Sequence, residues 1–237
     1  MEPNMKNFNT ILAVGAMAAV CGAAEAGMVY WNMQTIGATS NNVVGVTSGN
    51  VVQGNNNGTT SLLSTTSVSS GYSFDLNGTL TAASGQSNAG AAARIGALST
   101  GTAGSAYFEF TLSADASTSA TFSSFTFGSR STGTGPVSYV LRSSLDGFAS
   151  DLCTVGSMTS NSTWGLRSST LTSAVTFTDA TVTFRIYGYG GSGSASAGNA
   201  NWRIDDLALT VSSTAVPAPG AMALLGVAGL LGARRRR

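Results

Sequence analysis

The chain has 237 residues, of which 43% are hydrophobic and only 9% are charged, against a charged share of about 25% in an average domain. It contains no histidine, and Lys6 is its only lysine. These absences exclude Ser–His–Asp catalysis, histidine metal ligands and, once the N-terminus is removed, Schiff-base chemistry. The many Thr, Val and Phe residues, with little helical patterning, predict an all-β domain of extracellular type.

The first 26 residues have the three parts of a secretory signal peptide. Lys6 precedes an apolar run over residues 11–20, and Ala24 and Ala26 follow as an A-x-A cleavage site. The apolar run is too short for a stable transmembrane helix. We therefore expect a signal helix within residues 1–26 and cleavage by signal peptidase after Ala26.

The start of translation and the type of N-terminal signal each have an alternative. Translation can begin at Met1 or at Met5, and the later start gives a more compact signal. Cys21 suggests a lipoprotein signal, although Val20 stands where such signals carry a small residue; a buried N-terminal helix is the other alternative.

Cleavage after residue 26 leaves Cys153 as the only cysteine. We expect no intramolecular disulfide and a buried thiol.

The body, residues 27–214, has the pattern of β-strands separated by polar turns. The stretch YFEFTL places Phe108, Phe110 and Leu112 on one face, and TVTFRIY at residues 181–187 alternates in the same way. Many short strands without a βαβ rhythm predict a two-sheet antiparallel β-sandwich. Further strands are predicted at residues 121–127, 136–144, 170–178 and 202–211.

Two stretches of the body depart from simple alternation. Residues 121–127, TFSSFTF, change phase across Ser123 and Ser124, which predicts a β-bulge at that point. Residues 43–69 consist almost entirely of Ser, Thr, Asn, Gly and Val. This second stretch predicts either a long exposed loop or strands with weak patterning.

Asp205 and Asp206 are the candidate metal ligands. The apolar positions that follow them have the opposite parity to Ile204, so the strand must begin or bulge at the two aspartates. Carboxylates at such a point can supply oxygen ligands to a structural calcium ion. The alternative is an acidic turn that pairs with Arg203 or Arg185. We expect no cofactor other than this calcium ion.

Arg142, Asp146 and Trp164 are the candidate ligand-binding residues. A sugar site needs planar or bidentate polar groups beside an exposed aromatic residue, and Arg142 and Asp146 flank a predicted turn. The alternative is that Asp146 and Gly147 form a turn, that the arginines form structural ion pairs and that the aromatic residues belong to the core. Arg130 and Arg167 are also expected in or near loops, and the other aromatic candidates are Tyr139, Tyr187 and Tyr189.

The charges of the body argue against catalysis and against nucleic-acid binding. Glycoside hydrolysis needs two facing carboxyl groups, and no pair stands out among the eight acidic residues between positions 27 and 214. Six arginines in the same segment leave a formal net charge of −2 and no basic face for phosphate. We therefore expect a protein that is not an enzyme and does not bind nucleic acid.

The C-terminal segment, residues 215–237, combines a Pro-x-Pro element, an apolar run and four arginines. Residues 220–233 are apolar or small and reach about 21 Å as a helix, which is short for a hydrocarbon core of about 30 Å. Extension back to Ala215 and snorkelling arginines make a span possible. The arginines would stay on the cytoplasmic side of a membrane.

This tail resembles the PEP-CTERM sorting signal of Gram-negative-type bacteria. The sorting motif corresponds to Val216, Pro217, Ala218 and Pro219, and the basic tail to Arg234, Arg235, Arg236 and Arg237. Ala218 stands where the family has glutamate. The resemblance implies an exosortase-type processing enzyme as a partner and a C-terminal hydrophobic helix that lies transiently in the inner membrane.

The body resembles the jelly-roll domains that often accompany this tail, and more widely jelly-roll carbohydrate-binding domains. The resemblance rests on RSTGTGPVSYVLRSSLDGF at residues 130–148, FRIYGYG at 184–190 and WRIDDLALTV at 202–211. Together with the tail, it predicts an exported protein that is first membrane-tethered and then at the cell surface or extracellular. It would be a structural or adhesive component of the envelope or biofilm matrix. The alternatives are a lectin-like module that binds extracellular polysaccharide and a permanently anchored envelope protein.

Overall fold

The computed structural model describes residues 24–58, 60–67, 73–74, 80–81, 87–192 and 198–217. Within these ranges the chain consists of β-strands and one 3₁₀ turn, Ser144–Asp146, so the predicted all-β class is confirmed. No helix in this part of the chain is long and apolar enough to cross a membrane. Residues 1–23 and 218–237, which carry the predicted signal helix and the predicted C-terminal helix, lie outside the described residues.

Seven strands of the described residues form an antiparallel sheet, here called the first sheet. They are β1 (Glu25–Trp31), β2 (Ser40–Asn41), β5 (Leu63–Ser64), β8 (Asn88–Ala91), β10 (Thr118–Ser131), β13 (Trp164–Thr178) and β15 (Trp202–Ala215). The main order is β13–β10–β15–β1–β2, and β8 pairs with the beginning of β15 and with β5. The last strand in the described residues is therefore central in its sheet.

Six further strands form a second antiparallel sheet. They are β3 (Val46–Ser48), β4 (Val52–Gly54), β9 (Tyr107–Ala114), β11 (Ser138–Ser143), β12 (Gly156–Ser157) and β14 (Thr181–Tyr189). The order is β12–β11–β14–β9–β3, with β4 paired to the other end of β9. β6 (Ser73–Phe74) and β7 (Leu80–Thr81) form a separate antiparallel pair.

The two sheets share one buried core. Phe108 and Phe110 of β9 are fully buried, as their alternation predicted. The ring centroid of Phe108 lies 4.7 Å from that of Trp202 in β15, and that of Phe110 lies 6.5 Å from that of Phe122 in β10. Because β9 belongs to the second sheet and β10 and β15 to the first, these contacts pack the sheets face to face.

The predicted bulge at Ser123–Ser124 is present in β10. Phe122 pairs with Val211 of β15, whereas Ser124 pairs with the adjacent Thr210. β10 therefore carries one extra residue, Ser123, and its hydroxyl donates a hydrogen bond to the Thr210 carbonyl at 3.3 Å. The bulge explains why the apolar positions change parity in the middle of this strand.

Two segments are more regular than their sequences suggest. β13 begins at Trp164, whereas the sequence predicts a strand only from residue 170. The first residues of β13 lie at a sheet edge and are half-buried or exposed, so they show no apolar alternation from which a strand could be predicted. Residues 43–69 contain the short strands β3, β4 and β5, so part of this segment is strand with weak patterning. Val46 and Val51 in this segment are buried in the shared core.

The two ends of the described body lie side by side. β1 runs antiparallel to β15, with Glu25 opposite Ser213 and Ala26 opposite Ser212. The predicted cleavage after Ala26 would thus remove the first two residues of β1, whereas Ala24 precedes the strand and is exposed. At the other end, the Val216 N–H donates to the Ser117 carbonyl at 2.7 Å.

Cys153 lies in the core, as expected. Its side chain is 3% exposed, and it forms a β-bridge with Leu171 of β13. Burial raises the pKa of its thiol above the ordinary value. It is a free cysteine, and its burial together with the raised pKa makes it unreactive in the folded state.

Candidate functional site

The predicted change of phase at Asp205 and Asp206 is a second bulge. Ala208 pairs with Thr126 of β10 and Asp205 pairs with Gly128, so β15 has two residues where β10 has one. Asp206 takes up the extra length with a φ of +51°. Aspartate tolerates this left-handed conformation better than most residues.

Both aspartates of this bulge are buried, at 0% and 2% exposure for Asp205 and Asp206. The Tyr30 hydroxyl donates to Oδ1 of Asp206 at 2.5 Å, and Oδ1 of Asp205 accepts the N–H of Asp206 at 2.9 Å. Oδ2 of Asp206 is buried without a hydrogen-bond partner among the described residues. Burial raises the pKa of Asp206 to about 6, and the hydrogen bond from Tyr30 opposes this shift.

The surroundings of the two aspartates do not add further acidic or sulfur ligands. In the described ranges, no group of three or more Cys, Asp or Glu residues is placed to hold a metal ion. The arginines considered as alternative partners bond elsewhere: Arg185 pairs with Glu109 at 2.7 Å, and Nη1 of Arg203 donates to Asn88 at 2.8 Å. The calcium site stays a prediction that would need main-chain oxygens as additional ligands.

Arg142 and Asp146 have structural partners of their own. Nε of Arg142 lies 2.6 Å from a carboxylate oxygen of Asp151, and the two side chains form an ion pair. Asp146 accepts the N–H groups of Ala149 and Ser150, and Gly147 has a φ of +69°. These contacts are the ones that the turn alternative describes for Asp146 and the ion-pair alternative for Arg142.

Trp164 lies apart in the fold from these two residues. It is the first residue of β13, where it pairs with Arg130, and its indole N–H donates to the Ser67 carbonyl at 3.0 Å. Arg142 belongs to β11 in the second sheet. Two of the other aromatic candidates, Tyr139 and Tyr187, are 2% and 0% exposed and belong to the core.

A cleft of about 560 Å³ lies between β12 and β13, the edge strands of the two sheets. The segment before β12 crosses from one sheet to the other: the Leu152 N–H donates to Leu141 of β11, and its carbonyl accepts from Thr172 of β13. β12 then turns back along β11, with Gly156 opposite Tyr139. The cleft opens where this crossing segment leaves β13.

Tyr139 forms the floor of the cleft and connects the two sheets. Its hydroxyl lies 2.9 Å from the hydroxyl of Ser169 in β13. A side chain at Gly156 would place its Cβ 2.0 Å from Cζ of the tyrosine ring, so only glycine leaves room for the ring. Burial raises the pKa of Tyr139 above its ordinary value, which keeps the phenol protonated.

Arg167 is the charged residue among those that line the cleft. It lies within β13, near the beginning of the strand, and pairs with Phe127 of β10. Its Nε is buried without a hydrogen-bond partner in the part of the chain that the structure describes. A Cβ on Gly165 would lie 2.8 Å from Nη2 of Arg167, so the guanidinium packs across that glycine.

The sequence contains only a faint signal for this site. The stretch GLRSST of β13 places Arg167 between a glycine and a run of hydroxyl residues, which marks an unusual strand but no partner. The other side of the cleft comes from β11 and β12, so its pairing with β13 depends on tertiary structure. None of Arg142, Asp146 and Trp164 lines the cleft.

Comparisons with known proteins give little to set beside this geometry. No protein family model matches the chain, and no curated protein sequence matches it. A solved structure of isomalto-dextranase from Arthrobacter globiformis T6, complexed with panose, aligns at 10% identity and a TM-score of 0.34. The alignment covers 73% of this chain and 24% of that chain, so this chain spans about a quarter of the enzyme's length.

Proposed function

We propose that this chain is an exported bacterial surface or matrix protein, sorted through its C-terminal segment by an exosortase-type enzyme. The observation that carries the proposal is the position of the sorting motif relative to the fold. β15 ends at Ala215, the Val216 N–H makes a hydrogen bond to Ser117, and Val216 and Pro217 are exposed. A processing enzyme would therefore reach Val216 and Pro217, the first two residues of the motif, without unfolding the body.

The proposed route has three steps. Signal peptidase cuts after Ala26 once the N-terminus has crossed the inner membrane. Residues 220–233 then hold the chain transiently in that membrane, with Arg234–Arg237 on the cytoplasmic side. The exosortase-type enzyme acts at residues 216–219, and the body passes to the cell surface or the extracellular matrix.

The surface of the body suits a hydrated extracellular setting. The outward rows of the first sheet are neutral and hydroxyl-rich: Thr176 pairs with Thr121 and Thr121 with Ser212, while Thr170 pairs with Ser124 and Ser124 with Thr210. The hydroxyls of Thr121 and Thr176 lie 2.9 Å apart. Such a surface keeps water without the charge that most soluble domains carry.

We propose that the body is jelly-roll-like and acts as a structural or adhesive component, not as an enzyme. Two face-to-face antiparallel sheets with strand connections between them support the first point. The proposal that the body is not an enzyme is supported by several carboxylates that bind other groups of the protein. Glu109 and Asp151 are paired with arginines, and Asp146 and Asp179 accept backbone N–H groups.

Variants of the tail test the sorting function. Pro219 lacks an N–H and disfavours helical geometry at Ala218, so residues 216–219 should stay extended for the enzyme. Replacing Pro217 and Pro219 with Ala should leave the protein membrane-bound with its tail intact. Replacing Arg234–Arg237 with Ser should release unprocessed protein, because those charges hold the orientation. Cell fractionation and intact mass give the readout, with Leu145→Ala as the control, because this side chain is 59% exposed and lies in the body outside the tail.

Two outcomes would contradict the sorting proposal. One is normal trimming and release of the double proline variant. The other is a wild-type protein whose mature mass still includes residues 220–237, which would make the chain the permanently anchored envelope protein of the second alternative.

Carbohydrate binding is the second candidate function, and the cleft between β12 and β13 favours it. Hydroxyl groups line much of this cleft, including those of Ser157, Ser168 and Ser169. Its volume lies within the range of about 300–1,000 Å³ that is usual for ligand pockets. A glycan array probed with the purified protein tests this function, and no bound glycan would exclude the lectin-like module.

A further inference from the structure

The guanidinium of Arg167 is held in place without an anionic partner. Its side chain makes no hydrogen bond or ion pair with another described residue, and its Nε is buried. By contrast, Arg142 and Arg185 each pair with a carboxylate. A half-buried arginine without a counter-charge is costly unless something else satisfies its donors.

No carboxylate reduces this positive charge within the cleft. Its described lining consists of Arg167, hydroxyl residues, Gly156 and two aliphatic side chains. Arginine is always protonated in proteins. The cleft therefore offers one fixed positive charge.

The rest of the lining fits a ring with hydroxyl groups on its edge and C–H groups on its face. The exposed hydroxyl residues Thr154, Ser157 and Ser168 in the lining can donate or accept hydrogen bonds. Val155 and Leu166 stand beside them with 49% and 38% exposure. Exposed aliphatic groups next to hydroxyls can pack against the C–H face of a sugar.

We propose that this cleft binds a carboxylate-bearing saccharide, a segment of an acidic polysaccharide built from uronate units. The planar fork of Arg167 receives the uronate carboxylate through two parallel N–H···O bonds. The hydroxyl groups of β12 and β13 bind the sugar hydroxyls, and Gly165 leaves the space that the guanidinium needs. This inference rests on the second proposed function, carbohydrate binding, and gives it a ligand class.

Titration calorimetry of the full chain with trigalacturonate tests the proposal, and its methyl ester is the matched neutral ligand. We expect the acid to bind roughly ten- to a hundredfold more tightly than the ester, as for a lost charge-assisted hydrogen bond. Raising the salt concentration should weaken binding of the acid and leave the ester unchanged.

Variants at position 167 test whether Arg167 binds the carboxylate of the ligand. Arg167→Gln should lower the affinity for trigalacturonate to that for the ester, and Arg167→Lys should fall between, because lysine keeps the charge without the fork. Arg94→Gln is the control, since Arg94 also has a buried Nε but lies outside the cleft and donates to Asn199. If Arg167→Gln fails to fold, the lysine variant and the ester comparison still show whether the guanidinium binds the carboxylate.

Each remaining outcome counts against the assignment. Equal binding of acid and ester, or an Arg167→Lys variant that binds like the wild type, would overturn the role of the guanidinium fork. Inorganic phosphate that competes as strongly as trigalacturonate would replace the saccharide by a simple anion. Neutral glycans that bind the wild type and Arg167→Gln equally would leave carbohydrate binding standing and remove only the uronate inference.

Discussion

The ring of Tyr139 lies over Gly156, its direct neighbour on the next strand, and its hydroxyl reaches Ser169 in the opposite sheet. Glycine weakens a strand because it offers no side chain to pack, and an aromatic ring across the strand pair compensates for this. Gly54 and Tyr107 repeat the arrangement where β4 pairs with β9. At β12 the same ring also forms the floor of the cleft.

Gly156→Ala should destabilise the protein and close part of the cleft. The new Cβ would lie 2.0 Å from the buried Tyr139 ring, and such overpacking costs about 1–3 kcal/mol. The matched control is Gly133→Ala, which meets no atom within 4 Å. Urea denaturation should show a lower midpoint for the first variant only, and equal midpoints would refute the packing of this ring.

Asp206→Asn should stabilise the protein at neutral pH. The folded-state pKa of about 6 lies above the ordinary value of 3.8, so the folded state holds this proton more tightly. The group's contribution to stability is complete below about pH 4 and is lost as the pH rises through about 6. Asparagine removes that loss, tolerates the positive φ and can still accept from Tyr30.

The measurement for Asp206 is the free energy of unfolding of both proteins between pH 3.5 and about 7.5. The advantage of the variant should grow with pH and level off above the folded-state pKa. Leu145→Ala, at an exposed position, removes no ionisable group and should show no such trend. An advantage that is the same at every pH would show that Asp206 does not titrate near 6.

Phe110→Ala should be among the most damaging substitutions in the core. Phe110 is fully buried and its ring contacts those of Trp31, Phe122 and Phe184 across both sheets. Removing a buried phenylalanine side chain costs about 3–5 kcal/mol. Thermal melts should show a large drop for this variant and almost none for Leu145→Ala, whose side chain is 59% exposed.

The thiol of Cys153 should be protected in the folded protein. It is 3% exposed and burial raises its pKa, so little reactive thiolate forms near neutral pH. Iodoacetamide should label it only when denaturant is added, which mass spectrometry detects. Rapid labelling under native conditions would place this residue at the surface, contrary to its packing beside Leu171.

Strands with one buried face could be predicted from the sequence, because burial of alternate residues leaves a period of two. β9 and β14 show this, and both bulges appeared as breaks in the period at Ser123 and at Asp206. The beginning of β13 was missed because its first residues are half-buried or exposed and carry no alternation. For the same reason, the sequence could not decide between a loop and short strands in residues 43–69.

The cleft was beyond sequence analysis, since it depends on which strand edges meet. Tyr139 and Ser169 come together only through the crossing segment before β12, and the sequence does not specify that crossing. The aspartates were found as a pair, but their burial against Tyr30 was not, because that contact joins the first and last strands of the body. Long-range pairing of this kind leaves no local pattern.

The central position of β15 sets the order in which the body can fold. β10 and β1 each pair with β15 along one edge, and β1 is made first although β15 is made last among the described strands. A growing chain therefore carries two long, unpaired strand edges until residues 202–215 have emerged, and non-local pairing of this kind forms slowly. Completion of the first sheet therefore waits until β15 has been made.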